Sequence, residues 1–357
     1  MIRKVDYIVV GLGLSGIALI EKLIENNKSF VVFENNSQMS SVVAGGVYNP
    51  VILKRFTPVW NGHEQLQKAL PFYKKLEEKL NIKLDYSFKT KKVFTSVGDE
   101  NNWFIASDKP MLSHYMNPTI QKEKIKGVIG DFGFGELTGT GRIDTPLLVT
   151  AYKEYINSLG NLVEEAFDYS KLMIEDNAEV KYNEIIAKQV VFSEGFGLKK
   201  NPFFNYLPLN GTKGETITIH APELQIDFLL KGSVFVMPLG NDNYKVGATF
   251  NWTDKTSIPT EEGRKELEDK LQKIISVPYT VIEQSAGIRP TVKDRRPLVG
   301  VHPKYAQLAV LNGLGTRGVM VAPIVAENLF NHLENGEKLD SEINIKRFES
   351  KNVHKQK

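Results

Sequence analysis

Three closely spaced glycines near the start of the chain have the spacing of a phosphate-binding turn. Gly11, Gly13 and Gly16 follow a short apolar run, and a helical pattern begins at Ile17. In a G-x-G-x-x-G turn the glycines allow a tight bend, a close approach of backbone to a pyrophosphate, and close packing of helix on strand. The helix start adds unpaired N–H groups and a partial positive charge. The turn therefore predicts a dinucleotide site, against the alternative of a chance glycine turn.

An acid at the end of the next apolar run supports that prediction. Glu34 closes the run Phe30 to Phe33 and lies 18 residues past Gly16 (34 − 16). A carboxylate at this position can bond both hydroxyls of an adenosine ribose. It would repel a 2′-phosphate, which argues against NADP. Strand, turn, helix and strand together predict a Rossmann-like α/β unit.

A second glycine-rich turn lies near the other end of the chain. Residues 312–318 read NGLGTRG, and a helical pattern follows from Val319 to Leu333. The start of that helix is another place that could accept an anion.

The region after Glu34 carries two weaker signals. Gly45 and Gly46, flanked by small residues, would let the backbone approach a flat group, or they belong merely to a connecting loop. Lys54 and Arg55 follow and could face a substrate anion, although most such pairs are solvated.

The composition is ordinary for a globular protein and excludes several classes of site. The chain has 357 residues, which suggests two domains or one with a large insertion. A net charge of +3 does not by itself indicate a nucleic-acid surface. The lack of cysteine excludes disulfides, a cysteine nucleophile and a cysteine-linked cofactor. The histidines are scattered without metal-ligand spacing, so no metal site is expected.

The uncharged run Tyr7 to Ile20 superficially resembles a signal peptide. It is too short to span a bilayer and lacks a small-residue cleavage site. The sequence therefore predicts a cytoplasmic protein.

Periodicity predicts the other elements. Helices are expected at 63–80, from the cap Asp144–Thr145 to Gly160, at 261–275 and at 319–333. Strands are expected at 163–167, 185–197, 233–238, 244–250 and 308–311. Residues 211–250 predict an antiparallel sheet, and residues 100–126 are expected to be irregular.

Taken together, the motifs resemble those of the D-amino-acid-oxidase family of FAD-dependent oxidoreductases, in the style of glycine oxidase and sarcosine oxidase. The resemblance covers nearly the full length of the chain. Its markers are GLGLSG at 11–16 with Glu34, Ala44–Val47, Ala286–Pro290 with Asp294, Pro297–Gly300, and Gly313–Gly318 before Ala322–Pro323.

The resemblance implies an α/β fold with a Rossmann-like FAD-binding domain and a second, mainly antiparallel α+β substrate domain. The FAD-binding domain would comprise residues 1–85, 143–210 and 285–357. The substrate domain would comprise residues 86–142 and 211–284.

The resemblance also implies a set of site residues. The residues that would hold FAD are Gly11, Gly13, Ser15, Gly16, Glu34, Ala44, Gly45, Gly46, Val47, Gly315, Thr316, Gly318, Val319 and Met320. Arg289 would grip the substrate carboxylate, with Arg317 as a second active-site arginine, and Tyr48 and Phe235 would line the substrate pocket. The alternatives are an Arg289 paired with Asp294 or Glu283, and an Arg317 that caps a strand.

Two positions depart from the family pattern. Phe235, three residues before Pro238, stands where glycine oxidase has a carboxylate-binding tyrosine. Glu194 stands within Ser193–Gly195, where the family has small residues. Both departures bear on which substrate the protein accepts more than on its fold.

Three functions fit these observations. The first is an amine or amino-acid oxidase that forms an imine and is reoxidised by oxygen. The second is a flavin dehydrogenase that uses another acceptor or acts on a tRNA-borne aminomethyl group. The third is a non-catalytic NAD-binding sensor.

Overall fold

The structure is a computed structural model that describes residues 2–175 and 179–351. The end of the predicted segment 285–357, from residue 352 onward, lies outside the described residues. The strands are β1 (Arg3–Val10), β2 (Phe30–Phe33), β3 (Val47–Tyr48), β4 (Val51–Ile52), β5 (Thr57–Pro58), β6 (Asp85–Ser87), β7 (Thr90–Val93), β8 (Phe134–Leu137), β9 (Gly141–Ile143), β10 (Leu162–Val163), β11 (Leu172–Ile174), β12 (Val180–Tyr182), β13 (Ile185–Phe192), β14 (Thr212–His220), β15 (Leu229–Lys231), β16 (Phe235–Gly240), β17 (Asn243–Gly247), β18 (Thr280–Arg289), β19 (Leu298–Val301) and β20 (Leu308–Asn312). The α-helices are α1 (Leu14–Glu25), α2 (Ser40–Val43), α3 (Gly62–Leu80), α4 (Val97–Ser107), α5 (Thr145–Ser158), α6 (Glu261–Leu271) and α7 (Gly318–Asn335).

The chain divides into two compact units. Unit 1 comprises the described residues of Met1–Val42, Pro146–Thr212 and Ile288–Lys357, and unit 2 comprises Val43–Thr145 and Lys213–Gly287. Residues 43–85 thus belong to unit 2, whereas the sequence led us to expect them in the first domain. The reason is pairing, because β3 and β6 both pair with β9 inside unit 2.

Unit 1 is built on a mainly parallel sheet. Its strand order is β10-β2-β1-β13-β12-β11, with β20 paired to β13 and β19 paired to β20. The apolar runs of β1 and β2 are buried, as parallel strands covered on both faces require. Val10 pairs with both Phe33 and Phe192, so three parallel strands end at one edge of the sheet. This confirms the Rossmann-like arrangement.

Unit 2 is built on a sheet with strand order β18-β14-β17-β16-β15-β7-β8. The pairs β14–β17, β16–β17 and β15–β16 are antiparallel, which confirms the antiparallel prediction for residues 211–250. Alternation gives the sheet one apolar face, to which Leu230 and Val236 contribute core side chains.

The main error of the sequence analysis is α4, which lies partly in a stretch expected to be irregular. Ser96 caps this helix by accepting from the N–H of Asp99, and Trp103 is completely buried. Phe104 and Ile105 are exposed, so the helix lacks the apolar stripe that periodicity can detect. A second difference is β10, which is shorter than the strand expected at 163–167.

In the part of the chain that the structure describes, no helix combines the length and the apolar character needed to cross a membrane.

Candidate active site

The N-terminal glycine turn follows β1 and lies directly against the end of β13. Gly11 has φ +101°, and a Cβ on it would lie 2.6 Å from the carbonyl oxygen of Ser193. A Cβ on Gly16 would lie 2.0 Å from the carbonyl oxygen of Gly11. Only glycine fits either position.

The helix α1 starts from this turn with no acidic residue in its first turn. The N–H of Leu14 donates to Ser41 Oγ at 3.2 Å, and Ser41 Oγ also lies where a Cβ on Gly13 would meet it, at 3.0 Å. Ser15 is buried in the first turn. Sequence reasoning did not single out Ser41, since nothing in its neighbourhood distinguishes it from a linker serine.

Glu34 lies at the glycine turn. One carboxylate oxygen accepts from the N–H of Leu12 at 2.6 Å, and the other accepts from the N–H of Asn36 at 2.6 Å. A carboxylate oxygen has a second lone pair, so both can still accept from a ribose hydroxyl. The acid predicted for the ribose is therefore placed beside the predicted phosphate turn.

The second glycine turn ends at the same edge of the sheet, because β20 pairs with β13 in parallel. Gly313 and Gly315 have φ of +74° and +64°, and α7 starts at Gly318 with no acidic residue in its first turn. Thr316 is exposed and Val319 and Met320 are buried.

Asn312 fixes the start of that turn. It is buried, its amide donates to the carbonyl of Gly195 at 3.0 Å, and it accepts from the N–H of Gly313 at 2.7 Å. Sequence reasoning missed this role, although a polar residue that ends a fully apolar strand is a usable signal.

The residues present fit a bound dinucleotide. Two helix starts and two glycine turns lie at one edge of the unit 1 sheet, with Glu34 beside them. In the same place Ser193 Oγ is buried and has no hydrogen-bond partner among the described residues. A buried hydroxyl without a partner is costly, so a ligand atom at this edge would satisfy it.

Arg289 ends β18, and its segment is tied to the second glycine turn. The carbonyl of Pro290 accepts from the N–H of Gly315 at 3.2 Å. Burial lowers the pKa of Arg289 to about 10, which leaves the guanidinium charged at neutral pH.

The two acids considered as structural partners of Arg289 have contacts of their own. Asp294 forms an ion pair with Arg347 at 2.8 Å. Glu283 accepts from the hydroxyl of Thr218 at 3.2 Å.

Arg317 immediately precedes α7 and is half-buried. Burial lowers its pKa, and the charges of Arg296 and Arg295 lower it further. Among the described residues it has no ion-pair partner. It occupies the N-cap position of α7.

In unit 2 the loop Ala44–Val47 is held against β9. Gly46 has φ +65°, and a Cβ on it would lie 1.9 Å from the carbonyl oxygen of Ile143. Phe235 comes to this loop, since a Cβ on Gly45 would lie 3.4 Å from Phe235 Cζ. The structure thus brings Phe235 together with the predicted flavin loop.

Tyr48, the other residue predicted to line the substrate pocket, has a hydrogen-bond partner within unit 2. Its side chain is buried, and its hydroxyl donates to Asp85 at 2.8 Å. Burial, with Asp85 beside it, raises the pKa of Tyr48. The hydrogen bond joins Tyr48 of β3 to Asp85 of β6, two strands that both pair with β9.

Glu194 points into unit 1. It accepts from the amide of Asn201 at 2.8 Å and from the hydroxyl of Tyr169. Burial raises its pKa. The bulky acid that departs from the family pattern is therefore part of a buried polar network.

No group of three or more His, Asp or Glu side chains suited to a metal ion occurs in residues 2–175 and 179–351.

Comparisons with known proteins agree with this arrangement. The chain matches the DAO family, described as FAD dependent oxidoreductase, over residues 6–331. It is 22% identical over 347 residues to a glycine oxidase of Bacillus subtilis (strain 168), covering 90% of this chain and 91% of that protein. The crystal structure of glycine oxidase from Geobacillus kaustophilus superposes with a TM-score of 0.77 at 19% identity, covering 94% of this chain and 96% of that one.

A third similarity is partial. The tRNA 5-methylaminomethyl-2-thiouridine biosynthesis bifunctional protein MnmC of Marinobacter nauticus is 26% identical over 140 residues, which is 36% of this chain and 22% of that protein.

The family match extends over nearly the whole chain and includes both glycine turns. The chain therefore belongs to the DAO family of FAD-dependent oxidoreductases.

Proposed function

We propose that this protein oxidises the C–N bond of a small amine or amino acid to an imine. The full-length similarity to a glycine oxidase supports this donor class. The family also makes FAD the cofactor, so the NAD-binding sensor is not retained.

One observation carries the proposal. Arg289 is a buried cation whose following residue is hydrogen-bonded to the second glycine turn, through Gly315 N–H and Pro290 O at 3.2 Å. An arginine fork can bind a carboxylate through two parallel hydrogen bonds. A substrate held this way would have its α-carbon fixed close to the glycine turn, and such orientation lowers the barrier to reaction.

The residues that we propose to hold the cofactor follow from the two turns and the unit 2 loop. Gly11, Gly13, Ser15, Gly16 and Glu34 would bind the ADP half, and Ala44, Gly45, Gly46, Val47, Gly315, Thr316, Gly318, Val319 and Met320 would contact the ring. FAD, when bound, supplies the acceptor for the hydride that leaves the α-carbon. The start of α7 would stabilise negative charge placed there.

The proposal assigns different roles to the two arginines. Arg289 would bind the substrate carboxylate. Arg317 would add a second positive charge beside the start of α7. Phe235 would form an apolar wall where a hydroxyl-bearing residue would offer a hydrogen bond.

The electron acceptor is a separate question. We propose molecular oxygen, with another acceptor as the alternative. Hydrogen peroxide formed in step with substrate consumption supports an oxidase. Turnover that requires an added dye or quinone, without peroxide, indicates a dehydrogenase.

The second candidate function is action on a tRNA-borne aminomethyl group. Lys54 and Arg55 favour it, because both are exposed between β4 and β5, where they could contact a phosphate backbone. Retention of tRNA by the purified protein that falls steeply with salt would support this candidate. Retention independent of salt, or none, would remove it.

The cytoplasmic location stays a prediction, which cell fractionation with an antibody to the protein can test.

The experiment that tests the proposed function is spectroscopic. The purified protein should be yellow, and its flavin absorbance should bleach under argon when a donor is added. Glycine, sarcosine, proline and D-amino acids form the panel, with acetate as a control that carries a carboxylate but no amine. A yellow protein that no amine bleaches would contradict the proposal.

A further inference from the structure

An arginine in the loop before β19 has a backbone conformation that suits glycine. Arg295 has φ +59°, in the left-handed region that bulky side chains rarely adopt. A residue held in this region costs free energy, and such residues cluster at functional sites. The side chain of Arg295 is exposed, and among the described residues it has no hydrogen bond and no ion pair. The contacts of its side chain therefore do not account for an arginine at this position.

The loop that carries Arg295 and the second glycine turn lie at the same end of a strand pair. Leu298 at the start of β19 is in register with Asn312 at the end of β20. A Cβ on Gly313 would lie 2.6 Å from Val292 Cγ2. The segment before β19 therefore packs against the segment after β20, and both segments belong to unit 1.

Arg317, at the end of the glycine turn, is the second cation of this cluster. Burial lowers its pKa, and the nearby charges of Arg296 and Arg295 lower it further. Among the described residues its guanidinium has no hydrogen bond and no ion pair. The N–H groups at the start of α7 follow directly and add partial positive charge.

The acids beside this cluster are bonded to other arginines. Asp294 forms an ion pair with Arg347 at 2.8 Å, and Glu342 forms one with Arg296 at 2.9 Å. Arg296 thus has a counter-ion, whereas Arg295 and Arg317 have none within residues 2–175 and 179–351. Two neighbouring cations without a counter-ion repel one another, and an anion bound by both would offset that repulsion.

Arg347 shows how this chain holds a structural arginine in the same region. Besides its ion pair, its guanidinium donates to the carbonyl of Ile343 at 2.6 Å and to the carbonyl of Pro297 at 2.8 Å. Arg295 and Arg317 have no contacts of this kind among the described residues. A structural role therefore does not explain their charges.

We propose that Arg295 and Arg317 bind a phosphate or phosphonate group carried by the amine donor. Guanidinium groups bind phosphate oxygens through parallel hydrogen bonds, and the N–H groups at a helix start favour the same anion. The two positive charges also match the two negative charges of a phosphate monoester.

The proposal rests on the proposed function and narrows its substrate class. Arg289 would hold the donor's carboxylate. It belongs to the same unit and precedes Pro290, whose carbonyl is bonded to Gly315 in the turn that leads to Arg317. The phosphate has two possible sources, a small amine that carries a phosphonate and a tRNA that carries an aminomethyl group, and the test separates them.

The test measures phosphate binding to the FAD-loaded protein, in which the cofactor's own phosphates already occupy their site. Inorganic phosphate is titrated by calorimetry, with acetate as the anion that lacks phosphorus. Turnover is measured with N-(phosphonomethyl)glycine and with sarcosine, and retention of tRNA is measured over a range of salt concentrations.

The variants are Arg295→Gly, Arg317→Gln and Arg317→Lys. The matched control is Arg3→Gln. Arg3 is an exposed arginine of unit 1 at the start of β1, and it donates to the carbonyl of Gly160 at 3.1 Å. Its removal subtracts the same charge from the same unit at the edge of the sheet opposite the glycine turns.

Removal of either subsite arginine should weaken the binding of inorganic phosphate by about tenfold or more, because a charge-assisted hydrogen bond is lost. The kcat/KM for N-(phosphonomethyl)glycine, relative to that for sarcosine, should fall by a similar factor. Arg317→Lys should recover only part of the loss, since an ammonium cannot form two parallel bonds. Arg3→Gln should leave both measurements unchanged.

Arg295→Gly adds a measurement that distinguishes ligand binding from support of the fold. Glycine adopts a φ of +59° without strain, so the thermal midpoint of this variant should be at least as high as that of the parent while phosphate binding is lost. A lower midpoint together with lost binding would assign Arg295 to the fold and overturn its place in the subsite.

The remaining outcomes separate this proposal from the previous one. Phosphate that binds no more tightly than acetate, or equally to the parent and to all variants, would overturn the subsite while amine oxidation stands. Phosphate binding that depends on both arginines in a protein that oxidises no amine would support the subsite and contradict the proposed function. Salt-sensitive tRNA retention that is lost in Arg295→Gly would support the subsite with nucleic acid as the source of the phosphate.

Discussion

Gly318, the first residue of α7, lies against Leu14, the first residue of α1. A Cβ on Gly318 would be 3.1 Å from Leu14 Cδ1. The two helices come from opposite ends of the sequence, yet their starts touch. Their N–H groups and partial positive charges are therefore concentrated at one edge of the unit 1 sheet, which suits a ligand as anionic as a dinucleotide.

The N-terminal turn at this edge can form only with glycine at position 16, so a substitution there tests whether the cofactor binds at the turn. In Gly16→Ala the new Cβ would meet the carbonyl oxygen of Gly11 at 2.0 Å, so the turn must open. We expect the purified variant to lose most of its flavin, measured as visible absorbance per protein, and its thermal midpoint to fall by several degrees, about 1–3 kcal/mol of stability.

Gly98→Ala is the matched control for this change. Gly98 lies in α4, and a Cβ there meets only Ser96 Oγ at an ordinary 3.4 Å. Alanine favours a helix, so the control should keep its flavin and be as stable as the parent or slightly more so. Full flavin retention in Gly16→Ala would contradict the placement of the cofactor at this turn.

Substitution of Arg289 should weaken substrate binding without affecting flavin binding. Arg289→Ala should raise the KM for an amino-acid donor well over tenfold, about 1.4 kcal/mol or more of binding, with flavin content unchanged. Arg289→Lys should recover only part of the loss, because an ammonium cannot form the two parallel bonds. Steady-state kinetics on flavin-saturated protein measures both.

Arg264→Ala provides the comparison for Arg289. Arg264 is a half-buried residue of α6 whose ion pair with Glu268, at 3.4 Å, joins neighbouring turns of one helix. Its removal should leave the KM unchanged. A normal KM in Arg289→Ala would exclude Arg289 from carboxylate binding.

Glu194 makes stability depend on pH. Burial raises its pKa in the folded state. Protonation of this carboxyl therefore stabilises the folded state, and that stabilisation is lost as pH rises through the raised pKa. Glu194→Gln does not titrate, and its amide can still accept from Asn201 and donate to Tyr169. The thermal midpoint of the variant relative to the parent should therefore rise between about pH 4 and pH 8.

Glu223→Gln controls for the simple loss of one negative charge, because Glu223 is exposed. Its midpoint relative to the parent should show little change over the same range. A Glu194→Gln variant whose relative midpoint stays constant or falls with pH would contradict a buried, raised-pKa carboxyl at this position.

Much of unit 1 follows from local sequence. Gly11, Gly13 and Gly16 define a turn that other residues cannot form, and the apolar runs on either side have the lengths of buried strands. These signals are short-range, since each depends on backbone strain or on periodicity within one element. The sequence by itself therefore determined the dinucleotide-binding unit, and the family resemblance added FAD.

Only the tertiary structure determined the features that depend on contacts between residues far apart in the sequence. Residues 43–85 belong to unit 2 because β3 and β6 pair with β9. The sequence did not predict α4, because its exposed Phe104 interrupts the apolar stripe by which a helix is recognised. Tyr48 received Asp85 as a partner, and Arg317 came close to Arg295. The spacing of residues along the sequence does not show which strands pair or which side chains the pairing brings together, because pairing depends on the burial and hydrogen bonding of the whole sheet.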